Sequence, residues 1–392
     1  MKSVSTISQS FSVQYSYRLY FTDHLFSPKN TLFQELINTR TDGEKTKLLF
    51  VVDGQVAAKH PSLVHDIGNY CQCFDHLDCL EVLLVPGGEQ SKNEHENPKK
   101  VLRAINEKGI CRHSYVVAIG GGAVIDMVGY AAATAHRGVR LIRVPTTVLA
   151  QNDAAVGVKN GINEFGKKNF LGTFAIPDAI VNDFTFLSTL DQRDWISGIA
   201  EAIKVALIKD ASFFDFLETN AVALAQRQKD PMQHLIHRCA EIHMQHIATG
   251  GDPFESGSSR PLDFGHWAAH KLEQMSDYTL RHGEAVAMGI ALDVTYANLI
   301  GLADDNALAR VLKVLGDIGF ELQIPLKSKT EVDELLKGIE EFREHLGGQL
   351  TITLISGIGK KVDVHQIDLK KMHEAIALRS VGIEELSYRY DG

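Results

Sequence analysis

An apolar strand that runs straight into three glycines and then a helix leaves a chain few folds to choose from. Val116-Val117-Ala118-Ile119 is that strand, Gly120-Gly121-Gly122 follows, and Ala123, Val124, Ile125 and Asp126 begin the helix. A second strand, Leu141-Ile142-Arg143-Val144, ends in Pro145-Thr146-Thr147. Behind it come Asp153, Lys159 and Asn160, then Gly166-Lys167-Lys168-Asn169. Glycine at such a turn lets backbone N–H groups approach a phosphate, and the helix N-terminus adds partial positive charge. Thr146 and Thr147 sit at a second strand end, where open parallel sheets place ligands. Lys159 and Lys168 are cations for the same crevice. A triple glycine alone would be only a tight turn packing a helix on a sheet. Joined to Thr-Thr and two spaced lysines, it favours a nucleotide site.

The flanking sequence extends the alternation. Leu48–Val52 and Leu80–Val85 read as strands, closed by Asp53 and by Pro86-Gly87-Gly88-Glu89-Gln90-Ser91-Lys92, and Ala179–Asn182 as another. Ala57–Cys73 and Glu94–Lys108 read as helices. Residues 9–21 alternate apolar and polar, which predicts one or two antiparallel strands at a sheet edge. From about Ser188 helical patterns dominate: Trp195–Ile208, Phe213–Gln226, Met232–Thr249, Ala268–Met275, Glu284–Ile300, Ala307–Ile318 and Glu331–Glu340, with Leu350–Ile355 as the single strand. The expected fold is α/β: a Rossmann-like parallel-sheet domain over residues 1–187, then a mainly α-helical domain over 188–392. The cleft between them is the default site.

At 392 residues the chain is about right for two domains, and 44% hydrophobic residues can give both a core. A net charge of −9 offers nothing to nucleic acid or an anionic membrane. Anionic ligands must therefore be held by local lysines and arginines. No apolar run approaches membrane-spanning length, and Met1-Lys2-Ser3-Val4-Ser5 lacks the apolar core of a signal peptide, so a cytoplasmic protein is expected. Of five cysteines, Cys71, Cys73 and Cys79 cluster around His76. Without a second CxxC-type half-site they read as reduced structural thiols rather than a zinc site.

The helical half carries its own chemistry. Glu201 and Lys204 are three apart on one helix face, among Ile199, Ala200, Ala202, Ile203 and Val205. A carboxylate and an amine in such a setting are costly unless used or paired. His266 and His270 are four apart on one face, and His282 opens a further helix. Glu201, His266 and His282 supply one carboxylate and two imidazoles, a set that suits Zn²⁺ or a similar divalent ion with one position left for substrate. His234, His237, His243 and His246 form a rival cluster, but the first two face nearly opposite to the last two. Of these, only His243 is kept as a cleft candidate.

In order, the chain writes Pro-x-Gly-Glu-x-x-Lys, Gly-Gly-Gly, Arg-Gly-Val, Pro-Thr-Thr, Asp-x-x-Val-Gly-x-Lys, Gly-Lys-x-Asn, Ala-Glu-x-Ile-Lys, Gly-His and His-Gly-Glu-Ala-Val. That order resembles the 3-dehydroquinate synthase-like sugar phosphate cyclases over roughly residues 46–300, with a weaker tail beyond. Several motifs in one order are far more specific than a lone glycine loop. The resemblance implies two domains, tightly bound NAD, a catalytic Zn²⁺ or Co²⁺, a sugar phosphate substrate and a homodimer. Residue by residue it implies metal ligation by Glu201, His266 and His282. NAD would meet Asp53, Glu89, Lys92, Gly121, Gly122, Asp126, Thr146, Thr147, Lys159, Lys168 and Thr189. Substrate would meet Asp153, Lys159, Asn169, Lys204 and His270, and Arg137 would reach the neighbouring subunit's site.

The chemistry implied is oxidation, phosphate elimination, reduction and intramolecular aldol cyclisation of a seven-carbon sugar phosphate, a carbon–oxygen lyase reaction. Dehydroquinate synthases carry an arginine seven residues before the first metal histidine. This chain has Ser259 there, with Arg260 one later, followed by Pro261. Asp263 stands where they have Asn, and His243 or Gln245 where they have a lysine. A C-terminal lysine pair falls near Arg343-Glu344-His345, and Val156-Gly157-Val158-Lys159-Asn160 replaces Val-Gly-Gly-Lys-Thr. The phosphate end is kept and the far end has lost cations. That predicts sedoheptulose 7-phosphate as substrate and a valiolone-type cyclitol as product. The alternatives are a 3-dehydroquinate synthase acting on the carboxylated precursor, a glycerol dehydrogenase-like enzyme that releases NADH, and a non-catalytic paralogue. All three metal-ligand positions are filled, which speaks against the last.

Overall fold

Six strands form one parallel sheet in the order β1-β8-β5-β4-β2-β3. They are β1 (Arg18–Thr22), β2 (Thr46–Asp53), β3 (Leu77–Val85), β4 (Tyr115–Gly120), β5 (Arg140–Pro145) and β8 (Ala179–Asp183). The structure is a computed structural model and describes residues 6–254, 262–345 and 347–380. Successive side chains of a strand point to opposite faces. Leu49, Val51, Val116 and Ala118 therefore enter one core, beneath the helices Glu96–Glu107 and Gly122–Thr134. Leu48, Phe50, Val52, Tyr115, Val117 and Ile119 enter a second core on the other face. Both faces are covered, so β2 and β4 read as unbroken apolar runs.

The chain leaves β2 outward to β3 and returns to β4 on β2's other side before continuing to β5. The strand order thus reverses between β2 and β4, and open α/β sheets bind ligands at the carboxyl ends of strands flanking such a reversal. After β8 the chain is mainly helical. Helices Gln192–Lys209, Ala211–Ala225, Lys229–Thr249, His266–Met275, His282–Leu299, Asp305–Ile318 and Lys329–His345 enclose one large apolar core. No helix among the described residues is long and apolar enough to cross a membrane.

Several local expectations change. Residues 9–21 yield one strand, β1, at the sheet edge, but it pairs with β8 in parallel, from Arg18↔Ala179 to Thr22↔Asp183. Alternation marks a half-buried strand and carries no information on its direction. The helix expected over Ala57–Cys73 is two, Gly54–Lys59 and Leu63–Gln72. Pro61 disfavours helical backbone at His60, which stands at φ −123°, ψ 73°. A hairpin appears that the sequence reading did not contain: β6 (Lys159–Glu164) pairs antiparallel with β7 (Lys167–Phe174). Its connection, Phe165-Gly166, has both residues at positive φ (51° and 71°), the twist that two-residue hairpins need. A phenylalanine at the first position hides that signal. β9 (Ile352–Gly357) likewise gains a partner, β10 (Lys360–Val364), and a helix Leu369–Arg379 follows. The five cysteines are free thiols.

Candidate active site

The sheet reversal gathers the expected nucleotide residues. Asp53 ends β2, and its Oδ1 accepts from Gln55 N at 2.8 Å, capping the next helix. A Cβ on Gly87 would collide with the Asp53 carboxylate, so the β3 turn passes close only as glycine. Gly121 caps the Gly122–Thr134 helix with extended backbone. A Cβ on Gly122 would lie 2.9 Å from Ala154 Cβ. The helix N-terminus therefore opens onto a close-packed backbone cradle. Beside it, Thr146 Oγ1 is buried without a hydrogen-bond partner, while Thr147 Oγ1 accepts from Ala150 N at 3.1 Å. An orphan hydroxyl and N–H groups at a helix start fit an anionic cofactor.

The hairpin closes one side of this crevice. Lys92, 5% exposed, donates to Asp126 Oδ2 at 3.0 Å and to Asn169 Oδ1. Asn169 holds left-handed backbone (φ 54°) and donates its own N–H to Asn163 Oδ1 at 2.9 Å. Asn163 Nδ2 donates to Glu89 Oε1 at 2.6 Å. Glu89, Lys92, Asp126 and Asn169 thus form one network. Lys159 opens β6 and is exposed.

Glu201, His266 and His282 offer atoms within 4.8 Å of one another. Glu201 is fully buried, and neither carboxylate oxygen meets a hydrogen-bond donor in good geometry. Its Oε1 lies 3.6 Å from His266 Nε2 and 3.3 Å from His282 Nε2. His266 Nδ1 lies 3.1 Å from the Phe264 carbonyl, and His282 Nδ1 3.1 Å from Glu273 Oε2. Both partners only accept, so each imidazole presents an Nδ1 proton to its partner and turns Nε2 toward Glu201. A carboxylate and two Nε2 atoms facing one point fit a divalent ion. Burial, then the Lys204 cation, lowers the His266 pKa to about 4, which keeps that ring neutral as a ligand must be. Burial works against a charged His282, but Glu273 and Glu201 outweigh it and raise its pKa to about 10. Metal uptake there displaces a proton.

Lys204 is 2% exposed and pairs with Glu201. Burial works against its charge, yet Glu201 and Asp153 outweigh it and raise its pKa. Asp153 lies in a π-helical turn, Ala150–Ala154, a form common at functional sites. Its Oδ1 is 2.9 Å from His243 Nδ1. His270 stands beside the triad, its ring centroid 5.4 Å from that of His266. Lys168 crosses from the hairpin and donates to Glu273 Oε1 at 2.7 Å.

One expected residue stands apart. Arg137 is exposed at the far end of the Gly122–Thr134 helix, about 20 Å from the glycine turn at 1.5 Å per residue. Thr189 Oγ1 is 2.9 Å from His60 Nε2, beyond the helix that Asp53 caps. Of the other histidines, His237 stacks on Phe21, and His234 packs at a tilt against Phe216. Ser259, Arg260 and Pro261 lie outside the described residues.

Family models for the 3-dehydroquinate synthase N-terminal and C-terminal regions match residues 82–197 and 198–342. The 3-dehydroquinate synthase of Shewanella sp. (strain MR-4) is 32% identical over 362 residues, 92% of this chain and 96% of the relative. The chain belongs to the 3-dehydroquinate synthase-like sugar phosphate cyclase family. Within that family, 2-epi-5-epi-valiolone synthase from Streptomyces hygroscopicus subsp. jinggangensis, solved with NAD⁺ and Zn²⁺, superposes with a TM-score of 0.84 at 28% identity, covering 95% of this chain and 99% of that one. A 2-deoxy-scyllo-inosose synthase complexed with carbaglucose-6-phosphate, NAD⁺ and Co²⁺ shares the fold, with a TM-score of 0.75 at 24% identity over 91% and 95% of the two chains.

This sugar phosphate cyclase contains functional neighbours that sequence reading missed. Arg143 is fully buried and spans the loop between Asp153 and Lys159. Its Nη1 donates to the Ala155 and Gly157 carbonyls at 2.8 and 2.5 Å, and Nη2 to Asn160 Oδ1 at 2.7 Å. Burial lowers its pKa to about 10, so it remains a cation at neutral pH. The sequence showed it only as a polar residue inside an apolar strand, a signal that names no partner. A lysine ammonium has its three donors on one nitrogen and cannot span acceptors that Arg143 reaches from two. We expect Arg143→Lys to lower stability by about 2–4 kcal/mol by orphaning buried carbonyls, measured by urea unfolding. A change under 0.5 kcal/mol would show that the loop holds itself.

Proposed function

We propose that the chain is an NAD- and divalent metal-dependent cyclase that converts sedoheptulose 7-phosphate to a valiolone-type cyclitol with loss of phosphate. The observation that carries this reading is the set of charged and polar groups around Lys204 and Asp153. His243, which with Gln245 is one of two candidates for the position where the dehydroquinate synthases have lysine, is engaged by Asp153, and Asp263 acts on Lys204 as a further nearby negative charge. A substrate carboxylate buried here would need cationic donors, ideally a bidentate guanidinium. Carboxylates and an imidazole accept and donate to hydroxyls instead. The cofactor set follows the valiolone synthase and 2-deoxy-scyllo-inosose synthase relatives.

When bound, NAD⁺ supplies a hydride acceptor and Zn²⁺ or Co²⁺ a Lewis acid beside a ring hydroxyl. Glu201, His266 and His282 would hold the ion. Lys204, paired with Glu201 and close to Asp153, orients the hydroxyl that is oxidised. His270, at the mouth of the triad, moves protons there. Lys159 and Asn169 hold the phosphate, and Asp53, Glu89, Lys92, Gly121, Gly122, Asp126, Thr146, Thr147, Lys168 and Thr189 border the nucleotide. Arg137, remote from its own crevice, is assigned to that of a second copy in a homodimer. The boundary between the sheet and helical halves is placed at 187/188.

Phosphate release with sedoheptulose 7-phosphate and with the carboxylated precursor of dehydroquinate tests the reading. We expect kcat/KM to favour sedoheptulose 7-phosphate at least tenfold. The reverse preference would make the chain a 3-dehydroquinate synthase, the activity of the curated relative at 32% identity. Accumulating NADH without phosphate release would make it a dehydrogenase.

A further inference from the structure

Glu273 belongs to no motif read from the sequence, yet it is 3% exposed and both its oxygens are engaged. Oε2 lies 3.1 Å from His282 Nδ1, and Oε1 accepts from Lys168 Nζ at 2.7 Å. It lies seven residues after His266 and three after His270, so the three share one face of the His266–Met275 helix. Lys168 comes from β7 in the sheet half and is held a second time by the Tyr278 ring, 5.2 Å from its Nζ. A carboxylate buried this deeply is costly unless charged partners compensate it. Lys168 supplies that compensation without taking the oxygen that faces His282.

We propose that Glu273 is a positioning residue of the metal centre, fixing the tautomer and direction of His282, with Lys168 as the counter-charge that holds it in place. The inference rests on the metal reading above. Accepting from Nδ1–H, Glu273 commits the His282 lone pair to Nε2, where it faces Glu201, and makes that nitrogen more basic. His270, Glu273 and His282 also lie close enough to hold an ion among themselves. The Lys168 ammonium on Glu273 opposes a second cation at that point, so the geometry points to orientation rather than a second site.

Full-length protein stripped of metal and titrated with Co²⁺, followed by visible absorption, separates these outcomes. Wild type is expected to take up one Co²⁺ per chain. Glu273→Ala should weaken binding by about 10–100-fold, the range for partners of metal-bound histidines. Glu273→Gln keeps an acceptor for His282 but not the charge and should weaken it about threefold or more, with a shifted absorption band. The Gln variant carries the test if the Ala variant lacks native circular dichroism. Affinity and spectrum equal to wild type in a folded variant, or two Co²⁺ per wild-type chain, would overturn the inference while leaving a metal centre in place. No Co²⁺ uptake by wild type, or uptake indifferent to His266→Ala, would overturn the metal reading itself and this inference with it.

Discussion

Replacing Glu201 by Gln should empty the metal centre and lower kcat/KM by about a thousandfold or more. Among the described residues, Glu201 is the only carboxylate where His266 Nε2 and His282 Nε2 meet, and it lies fully buried. The amide keeps the shape but loses the charge that favours a dication over water. Lewis-acid stabilisation of this kind is worth several kcal/mol, and each 1.36 kcal/mol is tenfold in rate. The substitution also strips Lys204 of its nearest counter-charge, and breaking a buried pair costs about 3–5 kcal/mol. His266→Ala separates the two effects, because it removes a ligand and leaves the Glu201–Lys204 pair intact. Metal content by elemental analysis and turnover by phosphate release should fall together in both variants, while the unfolding midpoint falls further in Glu201→Gln. Normal metal content and full turnover in either variant would refute the assignment.

Asp293 should contribute stability that is present at pH 4 and lost by about pH 7, against the opposite trend of the buried His266 and His270 imidazoles, whose lowered pKa values favour the folded state as pH rises. Asp293 is fully buried, 2.9 Å from Trp267 Nε1 and 3.1 Å from Gly265 N. Burial raises its pKa to about 7, and the two hydrogen bonds only partly offset that. An unfolded aspartate ionises near 3.9. Between those values the folded state binds more protons than the unfolded one, so each step up in pH favours unfolding. The stabilisation is complete below the unfolded value and is lost by the time pH passes the folded one. A displacement of about three units is worth about 4 kcal/mol. Urea unfolding of wild type and Asp293→Asn at pH 5 and pH 8 spans about two of those units, about 2.7 kcal/mol. Asp293→Asn should remove this contribution, so its stability at pH 5 relative to pH 8 is lower than that of wild type, and its amide must also turn NH₂ toward one of two donors. An unchanged slope would place the titration elsewhere. Asp293 anchors Gly265 and Trp267 on either side of His266, so a lower metal affinity should accompany its loss.

The local signals in this chain are of two kinds, and they differ in how far they reach. Apolar runs, the glycine turn and helical periodicity describe a residue's immediate neighbours. They sufficed for the parallel sheet, its carboxyl-end crevice and a helical second half. The ordered motifs sufficed for the family. A strand's direction, the Phe165-Gly166 hairpin and the break at Pro61 depend on pairing or on turn geometry, and there the local pattern was incomplete or misleading.

Site residues separate along the same line. The types Glu201, His266 and His282 were legible because polar groups in apolar helices are costly without a partner. Their convergence was not, since it depends on how three helices pack around one core. Glu273 looked like any polar residue of an amphipathic helix until packing excluded water and brought His282 and Lys168 to its two oxygens. Arg143 and Asp293 acquired their roles in the same way. The sequence by itself determined which groups could not be left unpaired; the tertiary structure decided with whom they pair, because a buried charge takes its meaning from neighbours distant along the chain.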